Sequence, residues 1–218
     1  MILNNVDDIK IGTEQVDRVY AGSKLIWDAA LPRGYRRCKY LESSGTQYIK
    51  LPVYATKTTV STIEYATTDA SQTQAGIFGR NNGTNLRYMV FHSGTAGKIN
   101  LGLGGGYALI NADLNKHTVV LNSLVPYIQY DDTFPASASG TYSASEYNYK
   151  PYLFAVNKAD SPNIGKCRIY SCKMVANSSL VVDVIPALDP NGRPCMYDTV
   201  SKKPLYNSGK NEFLYELA

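Results

Sequence analysis

Short apolar runs of four to eight residues recur along this chain between Gly- and Asn-rich turn sequences, and no stretch sustains a helical period over three turns. Ile99, Leu101 and Leu103 alternate with Lys98, Asn100 and Gly102, the period of a strand buried on one face. Segments 86–91, 118–121 and 152–156 are more continuously apolar, as expected where both faces of a strand are covered. The runs are separated by Asn81-Asn82-Gly83, Ser93-Gly94, Gly104-Gly105-Gly106, Asp131-Asp132, Ser139-Gly140, Pro190-Asn191-Gly192 and Ser208-Gly209. Gly and Asn accept the positive φ that tight hairpins need. Segment 108–116 comes nearest to a helix and is short, and no fixed-period repeat suggests a propeller or solenoid. A chain of many short strands closes as a sandwich or a barrel. The expectation is an all-β fold, an antiparallel two-sheet β-sandwich.

With 218 residues, 44% hydrophobic and 18% charged, the chain has the apolar content for one large domain. Residues 1–28 read as a small unit of their own. Ile9 and Ile11 alternate with polar neighbours, then 16–20 and 24–27 flank a turn at Ala21-Gly22-Ser23, which predicts a short N-terminal β-hairpin. Because an isolated hairpin is marginal in water, this unit is expected to dock on the main domain, a sister chain or a larger assembly. Residues 29–34, with Pro32 and Gly34, read as a linker, and 35–218 as the sandwich.

The first ten residues lack the basic and apolar regions of a signal peptide, so ordinary export is not expected. No run approaches the roughly 20 apolar residues of a spanning helix, so membrane insertion is not expected either. The sparse Cys38, Cys167, Cys172 and Cys195 are expected to be reduced thiols, with Cys38 and Cys195 the one pair placed to meet. Net charge is only +4 and scattered apart from Arg33, Arg36, Arg37 and Lys39, which does not support nucleic-acid binding. The 18 tyrosines, against 5 Phe and 1 Trp, favour pleated strands first and recognition surfaces second.

Catalytic patterns are not found. Gly102-Leu103-Gly104-Gly105-Gly106 begins like a dinucleotide fingerprint, but Tyr107 stands where the third glycine belongs and no strong helix follows to cradle a phosphate. Asn82-Gly83-Thr84 and Asn177-Ser178-Ser179 match a glycosylation sequon and read as turns without a secretory route. His92 and His117 lack a nucleophile-elbow context and are expected to be satisfied structural histidines. Cys167 and Cys172 stand five apart on a presumed strand, which points them to opposite faces and disfavours a shared metal. Glycosidases on such sandwiches present paired acids on alternate positions of one strand. Here Glu42, Glu64, Asp69, Glu146 and Glu212 stand alone. The expectation is a protein that is not an enzyme and needs no cofactor or metal, with a calcium site at Asp131-Asp132 weighed against a solvated turn.

Four stretches occur in one order: 40–49 (YLESSGTQYI), 153–157 (LFAVN), 168–173 (RIYSCK), and 183–187 (DVIPA) through 197–200 (YDTV). Together they resemble the concanavalin A-like, laminin-G-like jelly rolls of bacteriophage structural proteins and gut-bacterial surface proteins. The closing Leu205-Tyr206-Asn207-Ser208-Gly209, followed by Glu212-Phe213, is similar to that family's C-terminal end, and the resemblance spans roughly 35–217. Residues 8–27, with Ile11-Gly12, Val19-Tyr20-Ala21-Gly22 and Ile26-Trp27, resemble a short N-terminal unit of phage tail and virion proteins. The resemblance implies a virion protein in a tail, fibre or head decoration, often a homo-oligomer among other virion proteins, that binds host-surface glycan or decorates the particle. A purely structural assembly protein and a bacterial carbohydrate-binding module remain alternatives. No ligand site carries over, because family members bind through variable loops.

A sugar stacks its apolar face on an aromatic ring while its hydroxyls take hydrogen bonds. Two segments offer that mixture. Tyr127, Tyr130, Asp131 and Asp132 with Tyr142 and Tyr147 form the preferred ligand-binding set, because the Ser/Ala/Gly-rich stretch 134–145 is long for a connection in a compact domain. Arg80, Asn81, Asn82 and Arg87 with Tyr88 form the other.

Overall fold

The structure, a computed structural model, describes residues 10–11, 14–16, 18–21, 24–28, 30–83, 86–136 and 149–218. Near the N-terminus β1 (Lys10–Ile11) pairs with β2 (Glu14–Gln15), and β3 (Arg18–Ala21) forms an antiparallel hairpin with β4 (Lys24–Asp28), as the sequence predicts. The chain then passes repeatedly between two sheets. It enters the first with β5 (Arg36–Ser44), crosses to the second for β6 (Ile49–Lys50) and returns for β7 (Val60–Thr67). The second sheet takes β8 (Gly76–Asn81), β9 (Arg87–His92), β10 (Lys98–Gly104) and β11 (Gly106–Asn111). The first takes β12 (His117–Asn122), β13 (Tyr127–Tyr130) and β14 (Thr133–Ala136). After β15 (Tyr152–Leu153), β16 (Ala155–Lys158) and β17 (Ser161–Ile164) in the second sheet, the chain finishes in the first. There it forms β18 (Lys166–Ala176), β19 (Ser179–Leu188), β20 (Pro194–Asp198), β21 (Lys203–Leu205) and β22 (Leu214–Leu217).

The two sheets form an all-β sandwich, antiparallel throughout except where β16 and β17 each make a parallel bridge to β8. Among the described residues there is no helix. Leu41, Ile63, Val119, Leu121 and Ile169 from the first sheet meet Phe78, Val90, Ile99, Leu101 and Leu103 from the second in the central core. Burial of each such side chain contributes roughly 1.5–3 kcal/mol. A polar link crosses this core. The Tyr88 hydroxyl on β9 lies 2.6 Å from Ser61 Oγ on β7 and 3.1 Å from the Leu121 carbonyl on β12, so it ties the second sheet to the first.

A second cluster, Ile185, Ala187, Cys195 and Tyr197, is covered by Ala30, Leu31 and Tyr35, so the stretch read as a linker packs its apolar side chains on β19 and β20. All four cysteines are buried and free, and burial pushes the Cys38 and Cys195 thiols up to about 12.

Two strand readings are corrected. The 118–121 run is buried only at Val119 and Leu121, with Thr118 and Val120 half-buried, so it is an alternating strand with one covered face. Cys167 and Cys172 do not point to opposite faces. A β-bulge between Ile169 and Ser171 shifts the register of β18 against β7, and both thiols face the core.

Candidate functional site

On β9, Tyr88 and Val90 face the core, so Arg87, Met89 and Phe91 project from the outer face of the second sheet. Register places Asn81 of β8 and Gly104 of β10 beside Arg87, and Gly79 and Gly102 beside Met89, with Tyr107 of β11 opposite Gly102. The glycines leave a shelf free of side chains. A Cβ at Gly102 would sit 3.0 Å from Arg87 Cβ and 3.1 Å from its Cδ, so Arg87 lies across the sheet because position 102 is glycine. Its guanidinium reaches over the Tyr107 ring, 5.4 Å from the centroid, and Tyr107 is 53% exposed.

The second wall comes from the β16–β17 hairpin. β15 runs antiparallel to β8, and at Phe154, with φ of +62° and its ring buried 4.5 Å from Phe213, the chain bends into β16, which bridges β8 at Asn157 and Arg80. The hairpin comes in at backbone contact. A Cβ on Gly76 would stand 2.1 Å from Val156 N and 2.4 Å from Asn163 O, and one on Gly165 would stand 2.4 Å from Gly76 O. Val156 packs with Met89 and Phe91. The turn Ala159-Asp160 has both residues at positive φ, as a tight two-residue hairpin requires. Asn157 fastens its base, accepting from Asp160 N at 2.8 Å and donating to the Lys150 carbonyl at 2.9 Å. Lys158 is thereby carried over Phe91, its Nζ 5.0 Å from the ring centroid.

Between these walls lies an open depression of about 480 Å³, lined by Asn81, Asn82, Gly83, Arg87, Lys158 and Ala159. It joins two cations with two side-chain amides, each able to donate and accept. Asn81 Oδ1 caps its own turn by accepting from Gly83 N at 3.1 Å.

No protein-family model matches the chain, and no curated protein matches it.

The depression uses part of the second segment singled out in the sequence, with one correction. Asn81, Asn82 and Arg87 line it, but Arg80 and Tyr88 lie on the core side of the sheet and are buried. Arg80 Nη1 donates to the Leu86 carbonyl at 3.2 Å, and Tyr88 links the sheets. Lys158 and Ala159 carried no sequence signal, because Ala-Asp lacks the Asn-Gly signature of a two-residue turn.

The other segment does not form one surface. Tyr130 lies on the core side of β13, stacked on His117 at 4.7 Å, whereas Tyr127 lies on the opposite face with its ring 5.6 Å from Phe134. Asp131, at φ of +49°, is engaged through both oxygens, one 2.8 Å from His117 Nδ1 and one accepting from Thr118 N at 2.8 Å. Asp132 is exposed in the turn, and Tyr142 and Tyr147 lie outside the described residues. His117 Nε2 also meets Asp113 Oδ1 at 2.8 Å. Burial alone would lower the His117 pKa, but the hydrogen bonds its ring makes to the Asp131 and Asp113 carboxylates outweigh it, and the net shift is upward. Asp113 is held below the usual carboxylate range by its bond to His117. This histidine is saturated and joins β12, β13 and the connection before them. His92, at the inner end of β9, is pushed down to about 4 by burial and stays neutral. Among the described residues, no group of three or more His, Cys, Asp or Glu side chains could hold a metal ion.

Proposed function

We propose that this chain is a non-enzymatic bacteriophage virion protein whose lectin-like sandwich recognises host-surface glycan through the depression between the β8–β9 turn and the β16–β17 hairpin. The observation that carries the reading is the composition of that depression. Asn81 and Asn82 offer the paired donors and acceptors that hydroxyls need, Arg87 and Lys158 add cations, and an exposed aromatic ring, Tyr107, stands beside them. The resemblance of 35–217 to phage jelly rolls supplies the biological setting. The β3–β4 hairpin is the attachment unit, docking in a homo-oligomer or on other virion proteins. The test is binding of the full chain to host cells and to their purified surface polysaccharide, with competition against phage adsorption. Saturable binding that blocks adsorption is expected, and no binding to any host polysaccharide refutes glycan recognition.

A purely structural role is the second reading, and the edge strand β22 favours it. Leu214, Tyr215 and Leu217 are all exposed on a strand paired, among the described residues, to β5 alone, an apolar edge suited to covering by a neighbour in a particle. Under that reading the depression binds no sugar.

A further inference from the structure

We infer that Asn82-Gly83, at the rim of the depression, is a site of spontaneous deamidation, which turns one of the lining amides into a carboxylate as the protein ages. This stands whether or not the depression binds glycan, because it follows from the chemistry of the turn. The chain contains two Asn-Gly pairs, Asn82-Gly83 and Asn191-Gly192. In each, the glycine nitrogen can attack the amide carbon of the preceding side chain, since glycine has no Cβ to hinder the approach and its backbone turns freely. The new N–C bond closes a cyclic succinimide, and the carboxamide nitrogen leaves as ammonia, taking the proton of the glycine N–H. Water then opens the ring at either carbonyl, leaving aspartate or isoaspartate.

The fold treats the two pairs differently. Asn191-Gly192 lies in the turn between β19 and β20, where Asp189 clamps it. The Asp189 carbonyl accepts from Gly192 N at 2.9 Å, and Asp189 Oδ1 accepts from Asn191 N and Arg193 N, each at 2.9 Å. Asp189 is itself buried and anchored, its Oδ2 accepting from the Tyr206 hydroxyl at 2.8 Å. Closing a ring there means giving up the backbone bond of Gly192 and moving a turn fixed on both sides. Asn82 and Gly83, by contrast, are exposed beyond the last ladder pair of β8 and β9, Asn81 with Arg87. Among the described residues, its chain neighbours apart, a Cβ built on Gly83 meets no atom within 4 Å. The Gly83 carbonyl accepts from Leu86 N at 3.2 Å, which leaves the attacking nitrogen out. That nitrogen donates to Asn81 Oδ1 at 3.1 Å, a side-chain partner that can swing away without disturbing the sandwich. Asn81 is thus a light brake, since a bonded N–H gives up its proton less readily. Because Asn82 lines the depression, deamidation replaces a group that donates and accepts by one that only accepts, and isoaspartate adds a methylene to the backbone of the turn. The net charge of +4 falls by one.

The experiment holds the full chain in mildly alkaline buffer, folded and in parallel unfolded in urea, and follows it by cation exchange and by peptide mapping with mass spectrometry. In urea the local sequence decides, and both pairs should react at similar rates. In the folded protein Asn82 should react at least about tenfold faster than Asn191, the factor that one or two turn hydrogen bonds impose, and should give both aspartate and isoaspartate. Asn82→Gln keeps an amide that closes its ring far more slowly, and should abolish the early acidic species. Asn81→Ala should quicken the reaction at Asn82 severalfold by freeing Gly83 N. Both substitutions lie at the turn and should leave Tm unchanged. Asn82 as inert as Asn191 in the folded protein, or Asn191 reacting as fast as Asn82, would overturn the inference. A rate unchanged by Asn81→Ala would remove Asn81 as the brake.

Discussion

Tyr88→Phe removes one oxygen from the middle of the sandwich, and the consequence can be worked through the groups it touches. The Tyr88 hydroxyl is the donor, to Ser61 Oγ at 2.6 Å, with the Leu121 carbonyl within reach of the same hydroxyl at 3.1 Å. The Leu121 carbonyl also belongs to a strand laddered on both sides, by β7 and β13, so loss of Tyr88 does not strand it. The Ser61 hydroxyl is fully buried and loses this partner. A buried polar group left without its partner costs roughly 1–3 kcal/mol, and about 2 kcal/mol corresponds to a fall in Tm of about 4–8 °C for a chain of this length. Tyr88→Phe combined with Ser61→Ala removes both ends of the contact and should recover about 1 kcal/mol relative to the sum of the single variants. Urea unfolding of the four proteins, read by tyrosine and tryptophan fluorescence and by calorimetry, closes the cycle. A Tyr88→Phe protein melting within about 1 °C of the parent, or a cycle with no coupling, would falsify the view that this bond ties the sheets together.

Three further outcomes follow from the same structure. His117, 11% exposed at its side chain, has its folded pKa raised by Asp131 and Asp113. Its stabilisation should therefore be complete below the unfolded value of about 6.5 and be lost as pH rises through the folded pKa. Urea unfolding across that window should show the slope, and His117→Gln should lack it. His92 has the opposite sign. Its folded pKa is pushed down to about 4, so stability should fall by roughly 3 kcal/mol as pH drops from about 6.5 to 4, and His92→Gln should remove that part of the acid sensitivity. Gly76→Ala would drive a methyl group into the backbone of Val156 and Asn163, so it should cost about 1–3 kcal/mol in calorimetry; an unchanged Tm would refute the close approach.

The sandwich was legible because strand period is local. The alternation of Ile99, Leu101 and Leu103 shows its buried face without reference to any partner, and the structure gives those side chains to the core. The hairpin of β3 and β4 was legible for the same reason, with Ala21-Gly22-Ser23 between its two runs. Alternation fails wherever the backbone departs from a regular pleat. The bulge in β18 turned both Cys167 and Cys172 inward, although counting by twos puts them on opposite faces. Arg80 failed differently. It follows Gly79, whose φ of +113° no ordinary side chain adopts easily, and it occupies a core-facing position that charge alone would assign to solvent.

The depression depends on contacts between segments some eighty residues apart, and that distance explains why half of it was missed. Asn81, Asn82 and Arg87 could be picked out because a turn flanked by polar and aromatic residues announces itself locally. Lys158 reaches them through a chain that bends at Phe154, at positive φ, and through Gly76 and Gly165, which allow the hairpin backbone to lie on β8. Neither glycine stands in a recognisable turn motif, and an aromatic at positive φ is an uncommon conformation that only a surrounding core sustains. For Phe154 that core is at hand, since its ring is fully buried against Phe213, in the C-terminal stretch that closes the sandwich. The bend at one buried aromatic thus leads into the hairpin that brings Lys158 to the depression Arg87 also lines.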